Sequence, residues 1–120
     1  MPRTRVLLAD DHARVRAGVR ALLRPLSDFE VVGEAADGDQ AVLLAQRLKP
    51  DVVLMDVSMP SMDGIEATRR IRALDPSIRV VVVTASCGRE REAYGAGAAG
   101  HVLKDARPDE LIGSLRLAHA

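Results

Sequence analysis

Four short runs in this chain carry almost no polar residue: Arg5-Val6-Leu7-Leu8-Ala9, Val52-Val53-Leu54-Met55, Ile78 to Val83 and His101-Val102-Leu103. A strand with one face in water alternates apolar and polar residues, whereas a strand that is apolar throughout must be covered on both faces. That condition is met in a parallel sheet layered between helices. Each run also ends at a polar side chain: Asp10-Asp11, Asp56, Thr84 and Lys104.

The segments between the runs read as helices. Val15, Val19, Leu22, Leu23 and Leu26 form a stripe at helical spacing with arginines opposite, Pro25 lies near its end, and Ser27-Asp28 closes it. Asp37-Gly38-Asp39-Gln40 has the spacing of an N-cap with Gln at N3, ahead of Ala41, Val42, Ala45 and Leu48. Ile65, Thr68, Ile71 and Leu74 mark a third helix, stopped at Asp75-Pro76. Polar residues 86–92 lead into Ala93 to Gly100, a poor helix because of its glycines. Pro108 opens a last helix, with Leu111, Ile112 and Leu115 on its face. Glu30 to Glu34 is a weaker strand whose flanking charges suit a sheet edge. The β-α unit therefore occurs five times, which predicts one α/β domain over residues 1–120, a doubly wound parallel sheet of five strands with five helices. The core is expected to absorb the apolar residues of the first and last helices, leaving no dimer face.

Composition narrows the function. Seventeen basic and seventeen acidic residues cancel, so nothing here attracts nucleic acid or an anionic membrane by charge alone. Cys87 is the only cysteine, which excludes an internal disulfide and suits a reducing cytoplasm. No apolar run approaches a membrane span, no signal peptide is visible, and a cytoplasmic location without membrane association is expected.

In a parallel sheet the polar residues that close the runs share one edge, so Asp10, Asp11, Asp56, Thr84 and Lys104 should converge. Three carboxylates in one crevice cannot all stay ionised without a cation. An all-oxygen site favours a hard divalent ion, Mg²⁺ above all, with Mn²⁺ able to substitute. A metal, a lysine and a hydroxyl around one nucleophilic carboxylate suit phosphoryl transfer. Taken singly the residues are ordinary: Asp10-Asp11 could cap a helix, Thr84 could end a strand, and Lys104 could sit in solvent.

The segments LLADDHARVRAG, VVLMDVSMPSMDGIEATRRI, VVVVTAS and GAAGHVLKDARPDEL closely resemble the receiver domain of two-component response regulators, the NarL/FixJ-like subfamily in particular. The resemblance spans nearly the whole chain and implies strand order 2-1-3-4-5. It implies that Asp56 is the phosphoacceptor for a sensor histidine kinase, and that Asp11, Asp56 and the Ser58 backbone carbonyl ligate Mg²⁺, with Asp10 assisting through water. Lys104 would pair with a phosphoryl oxygen. Thr84 would hydrogen-bond the phosphoryl group and move toward it. Small side chains at Ser58 and Ser86 would leave the mouth open to water and make the acyl phosphate short-lived. The protein would be a switch rather than a turnover enzyme. It would act in transcription through a C-terminal DNA-binding domain outside these residues, with a homodimer as a further expectation on phosphorylation.

His101 stands where this family usually has Tyr or Phe as a rotameric switch; the plainer reading is a partly exposed strand residue. His12 and His119 read as surface residues without companion ligands, and Cys87 as an inert thiol. Between Thr84 and Gly97 the chain is shorter than the family pattern and adds Gly88, Gly95 and Gly97, so helix 4 is expected to be short, displaced or mobile. Other functions fit less well. A haloacid-dehalogenase-like phosphatase needs an acid where Ser58 stands, and in a flavin mononucleotide carrier Asp10-Asp11 would repel the phosphate. A receiver-like interaction module that is never phosphorylated leaves the acidic pocket unexplained.

Overall fold

The computed structural model describes residues 3–85 and 88–119. Five strands, β1 (Thr4–Ala9), β2 (Phe29–Ala35), β3 (Val52–Asp56), β4 (Arg79–Thr84) and β5 (Gly100–Leu103), pair in parallel in the order β2-β1-β3-β4-β5. They alternate with α1 (Ala13–Leu23), α2 (Gly38–Leu48), α3 (Gly64–Leu74), α4 (Glu90–Gly95) and α5 (Pro108–Ala118). No helix among the described residues is long and apolar enough to cross a membrane.

The continuous apolar runs are explained by two cores, one on each face. Leu7, Ala9, Val53, Met55, Val80 and Val82 point into one, where α2, α3 and α4 contribute Ala41, Ala45, Ile65, Ile71 and Ala93. The intervening Val6, Leu8, Val52, Leu54 and Val81 point into the other with Leu23 of α1 and Leu115 of α5. Successive strand side chains alternate between faces, so burial on both sides demands apolar residues at every position. As expected for an edge strand, β2 keeps Glu30 exposed.

Three details differ from the sequence reading. First, α1 stops at Leu23 instead of running to Leu26, since Pro25 supplies no N–H and would press on the preceding turn. Second, α1 and α5 are not fully absorbed by the core. Val15 is 44% exposed, because it borders a cavity of about 200 Å³ between the two helices, lined also by Val19, Val83, Val102, Ala106 and Leu111 and reaching Asp56 and Lys104. Leu117, near the end of α5, is 79% exposed. Third, α4 begins in the polar segment, at Glu90, and ends at Gly95. Gly97 takes a φ of +107°, its N–H reaches the Tyr94 carbonyl and that of Ala98 reaches Ala93, both at 3.0 Å. That pair of bonds is a glycine C-cap which stops the helix, with the buried Ala93 and Ala98 supplying its apolar contact. At six residues α4 is short, as expected, against eleven in α3.

A six-residue helix cannot be stable by itself. In amide exchange, residues 89–96 should therefore be the least protected helical segment, well below α3; protection equal to that of α3 would contradict this.

One glycine positions the site. Gly64, the first residue of α3, donates its N–H to the Val57 carbonyl at 2.8 Å and packs so closely on β3 that a Cβ would lie 2.1 Å from the Asp56 carbonyl oxygen. The loop after Asp56 is thus folded back on its own strand end. Gly64→Ala should destabilise the protein by about 1–3 kcal/mol in denaturant unfolding, because overpacking against backbone outweighs the gain in helix propensity. Gly18→Ala, in open space within α1, should stabilise by about 0.5–1 kcal/mol as the matched control.

Candidate functional site

Parallel pairing carries each run's terminal residue to one edge. Asp56 pairs with Val83, Thr84 with Leu103, and the Lys104 N–H donates to the Thr84 carbonyl at 2.8 Å. On the other side Ala9 pairs with Met55, and the Asp10 N–H donates to Ala35 at 3.0 Å. Asp10, Asp11, Asp56, Thr84 and Lys104 therefore gather at the carboxyl edge of the sheet, as the sequence predicts.

Asp56 is only 2% exposed. Its carboxylate lies 3.2 and 3.3 Å from the Lys104 ammonium and accepts the Ser58 backbone N–H at 3.3 Å. Burial, then the nearby Asp10 carboxylate, push the Asp56 carboxyl above its ordinary pKa, and Lys104 offsets this only partly. Asp10 is also buried, whereas Asp11 is exposed. Donor atoms of Asp10, Asp11, His12 and Asp56 lie within 4.8 Å of one another. Carboxylates this close, with a single lysine against Asp56, form a donor set that fits a divalent cation.

Thr84 is 4% exposed, and its hydroxyl has no hydrogen-bond partner among the described residues. Among the described residues nothing offsets the cost of burying that hydroxyl. His101 sits farther back on β5, its Nε2 3.5 Å from a Glu90 carboxylate oxygen of α4. Ser86 and Cys87 lie outside the described residues, and with them the expectations of an open mouth at Ser86 and of the thiol.

Three groups escaped the sequence reading. His12 was expected to lack companions, yet its Nδ1 lies 3.1 Å from Asp11 and 3.3 Å from Asp10. Its place directly after the acidic pair was the available signal. Arg16 donates to the Asp10 carbonyl at 2.5 Å while paired with Glu34 of β2, so it fixes the backbone of the first acid. Asp63 caps α3 by accepting the Ile65 N–H, and its other oxygen pairs with Arg89 at 2.8 Å just before α4. His119 also has partners: it reaches Thr4 at 3.0 Å and Asp51 at 3.6 Å, at the opposite, amino edge of the sheet.

An open parallel sheet with a lysine, a buried hydroxyl and clustered carboxylates at its carboxyl edge defines a class of acidic α/β site. Residues 6–116 match the response regulator receiver domain, and the chain belongs to that family. Receiver domains of this kind are the phosphorylation-activated switches of two-component response regulators. Over 116 residues (95% of the chain, 53% of the relative) it is 45% identical to an uncharacterised transcriptional regulatory protein, YxjL, of Bacillus subtilis. It is 41% identical over 117 residues (96% and 54%) to the nitrate/nitrite response regulator NarL of Escherichia coli. The signal receiver domain of the putative NarL of Mycobacterium tuberculosis superposes with a TM-score of 0.91 at 35% identity, covering 97% of this chain and 95% of that one. The chain thus spans about half the length of the curated relatives it matches.

The raised pKa of Asp56 has a consequence for folding. The native protein holds this proton more tightly than the unfolded chain does. Stability attributable to Asp56 is therefore lost as pH rises from the unfolded carboxyl value of about 3.9 through the raised native one. Asp56→Asn keeps the shape and removes the charge. Without divalent ions it should be more stable than wild type at neutral pH by about 0.5–2 kcal/mol, an advantage that closes under acid. Denaturant unfolding across that pH interval checks this; an equal or lower stability at neutral pH would show that Lys104 already compensates the charge.

Proposed function

We propose that Asp56 accepts a phosphoryl group from the phosphohistidine of a sensor histidine kinase. The observation that carries this reading is a buried carboxylate, held by Lys104, together with a Thr84 hydroxyl at the end of the adjacent strand that has no partner among the described residues. In the transfer an Asp56 oxygen attacks phosphorus as the phosphorus–nitrogen bond breaks, and the departing imidazole keeps the electron pair. Because little else is covalent in such a step, catalysis rests on positioning and charge neutralisation.

Each residue has a role in that scheme. Burial and the Ser58 N–H fix the attacking carboxylate. Lys104 balances the charge that appears on the phosphoryl oxygens, moving from contact with two carboxylate oxygens to contact with the new group. Thr84 donates the hydroxyl that has no partner among the described residues. Mg²⁺, or Mn²⁺ in its place, held by Asp11, Asp56 and the Ser58 carbonyl with Asp10 through water, would supply further neutralisation. Hydrolysis of the resulting acyl phosphate resets the domain, which makes it a switch and not a turnover enzyme.

Movement of Thr84 toward the phosphoryl group would be passed to α4, β5 and α5, with His101 as the β5 reporter. The proposed output is transcription, through a DNA-binding domain outside these residues, in the cytoplasm. A phosphorylation-dependent homodimer belongs to the same reading. The NarL-type relatives support that assignment.

Incubation with acetyl phosphate and Mg²⁺ should add one phosphoryl group by intact mass, none in Asp56→Asn, and the adduct should decay on standing. Failure to gain the group from any small-molecule donor or kinase would leave a receiver-like interaction module, and persistence over many hours would contradict the short-lived acyl phosphate.

A further inference from the structure

His12 occupies the N-cap position of α1 but makes no side-chain capping bond. Its ring turns instead toward the acids, with Nδ1 3.1 Å from Asp11 Oδ1 and 3.3 Å from Asp10 Oδ1. The backbone supports that placement, because the His12 N–H donates to Asp10 Oδ1 at 2.8 Å. Asp10 is in turn anchored through its carbonyl to Arg16, and its N–H to β2. The imidazole thus stands on the same rigid turn as the two carboxylates.

Donors bound side by side on one ion with bonds of about 2.1 Å are separated by about 3.0 Å in octahedral geometry. The two nitrogen-to-oxygen distances at His12 are close to that spacing, and the Asp56 donor lies within the same 4.8 Å cluster. An imidazole nitrogen beside carboxylates is a poor match for Mg²⁺, which prefers oxygen, and a good match for a first-row transition ion.

We propose that this site takes a divalent first-row transition ion with His12 Nδ1 as a direct ligand beside the carboxylates, so that it prefers such an ion to Mg²⁺. The inference rests on the reading of Asp10, Asp11 and Asp56 as the cation site and adds a ligand that changes its selectivity. His12 contributes little when the ion is Mg²⁺, because an oxygen from water serves that ion as well. With Co²⁺ or Ni²⁺ the imidazole replaces that water and strengthens binding. His101 and His119 cannot contribute in the same way, since the first faces Glu90 and the second lies at the amino edge of the sheet.

The test is calorimetric titration of the protein with Co²⁺ and with Mg²⁺ in wild type, His12→Asn, His101→Asn and His119→Asn. The preference for Co²⁺ over Mg²⁺ should fall by about tenfold or more in His12→Asn alone, with the Mg²⁺ affinity changing by less than about twofold. In wild-type protein with nitrogen-labelled histidine, Co²⁺ should shift one imidazole strongly, and that signal should be the one missing from His12→Asn. An unchanged preference in His12→Asn, or a strongly shifted signal belonging to another histidine, overturns the proposal while leaving the carboxylate site intact. If wild type binds neither ion, the cation-site reading itself fails and takes this one with it. Should His12→Asn not fold, the wild-type signal, assigned through the backbone of residues 11–13, decides alone.

Discussion

Everything at the carboxyl edge of the sheet follows from one unfavourable placement: a carboxylate buried at the end of β3, beside a second buried carboxylate. Folding alone would select against it, because an ionised group removed from water needs compensation that a single lysine gives only in part. The surrounding structure is arranged to hold the charge in place. Gly64 lets the following loop close onto the strand end, Lys104 arrives from β5 by backbone pairing to Thr84, and Arg16 ties down the Asp10 backbone. Strain of this kind persists where function requires it.

The same logic explains why so much of the molecule was legible in its sequence. Two-sided burial leaves no room for polar residues at positions 6–9, 52–55 and 80–82, so each run's limits are written in composition. The residues that break the runs, Asp10, Asp56, Thr84 and Lys104, are for that reason the residues at the edge. Strand order is a different matter. Apolar periodicity indicates a parallel sheet without ordering it, and the order came from resemblance to a family.

What the sequence hid are relations between elements. Nothing in the pattern around Glu90-Arg91-Glu92 distinguishes a helix start from a loop, because the helix is set by its end: the positive φ of Gly97, against which the Arg72 side chain packs. The place of His12 after Asp10-Asp11 brings it near the acids, but whether its ring meets them depends on which way an N-cap ring turns, which the sequence leaves open. The exposure of Val15 reflects a gap between α1 and α5 that helical stripes cannot report, since a stripe shows which face is apolar and not how closely a neighbour approaches.

In the proposed switch these relations would carry a change at Asp56 toward α4 and β5. The loop that leaves Asp56 ends at Asp63, whose two oxygens do separate jobs, one capping α3 and one holding Arg89 at the threshold of α4. From the other side, His101 of β5 faces Glu90 in the first turn of the same helix. Glu92 joins Arg89 from within α4. The short helix buries little beyond Ala93, so the ion pair with the loop after Asp56 and the approach of His101 from β5 carry much of its attachment. Contacts that are partly exposed are worth little each and are readily exchanged. A helix attached in this way can be released or reset by small movements at its two anchors, whereas a fully packed helix would have to be lifted out of the core. The shorter stretch expected between Thr84 and Gly97 is therefore compatible with the proposed signalling, which on this geometry would run through Asp63–Arg89 and His101–Glu90 and needs no broad packed face of α4.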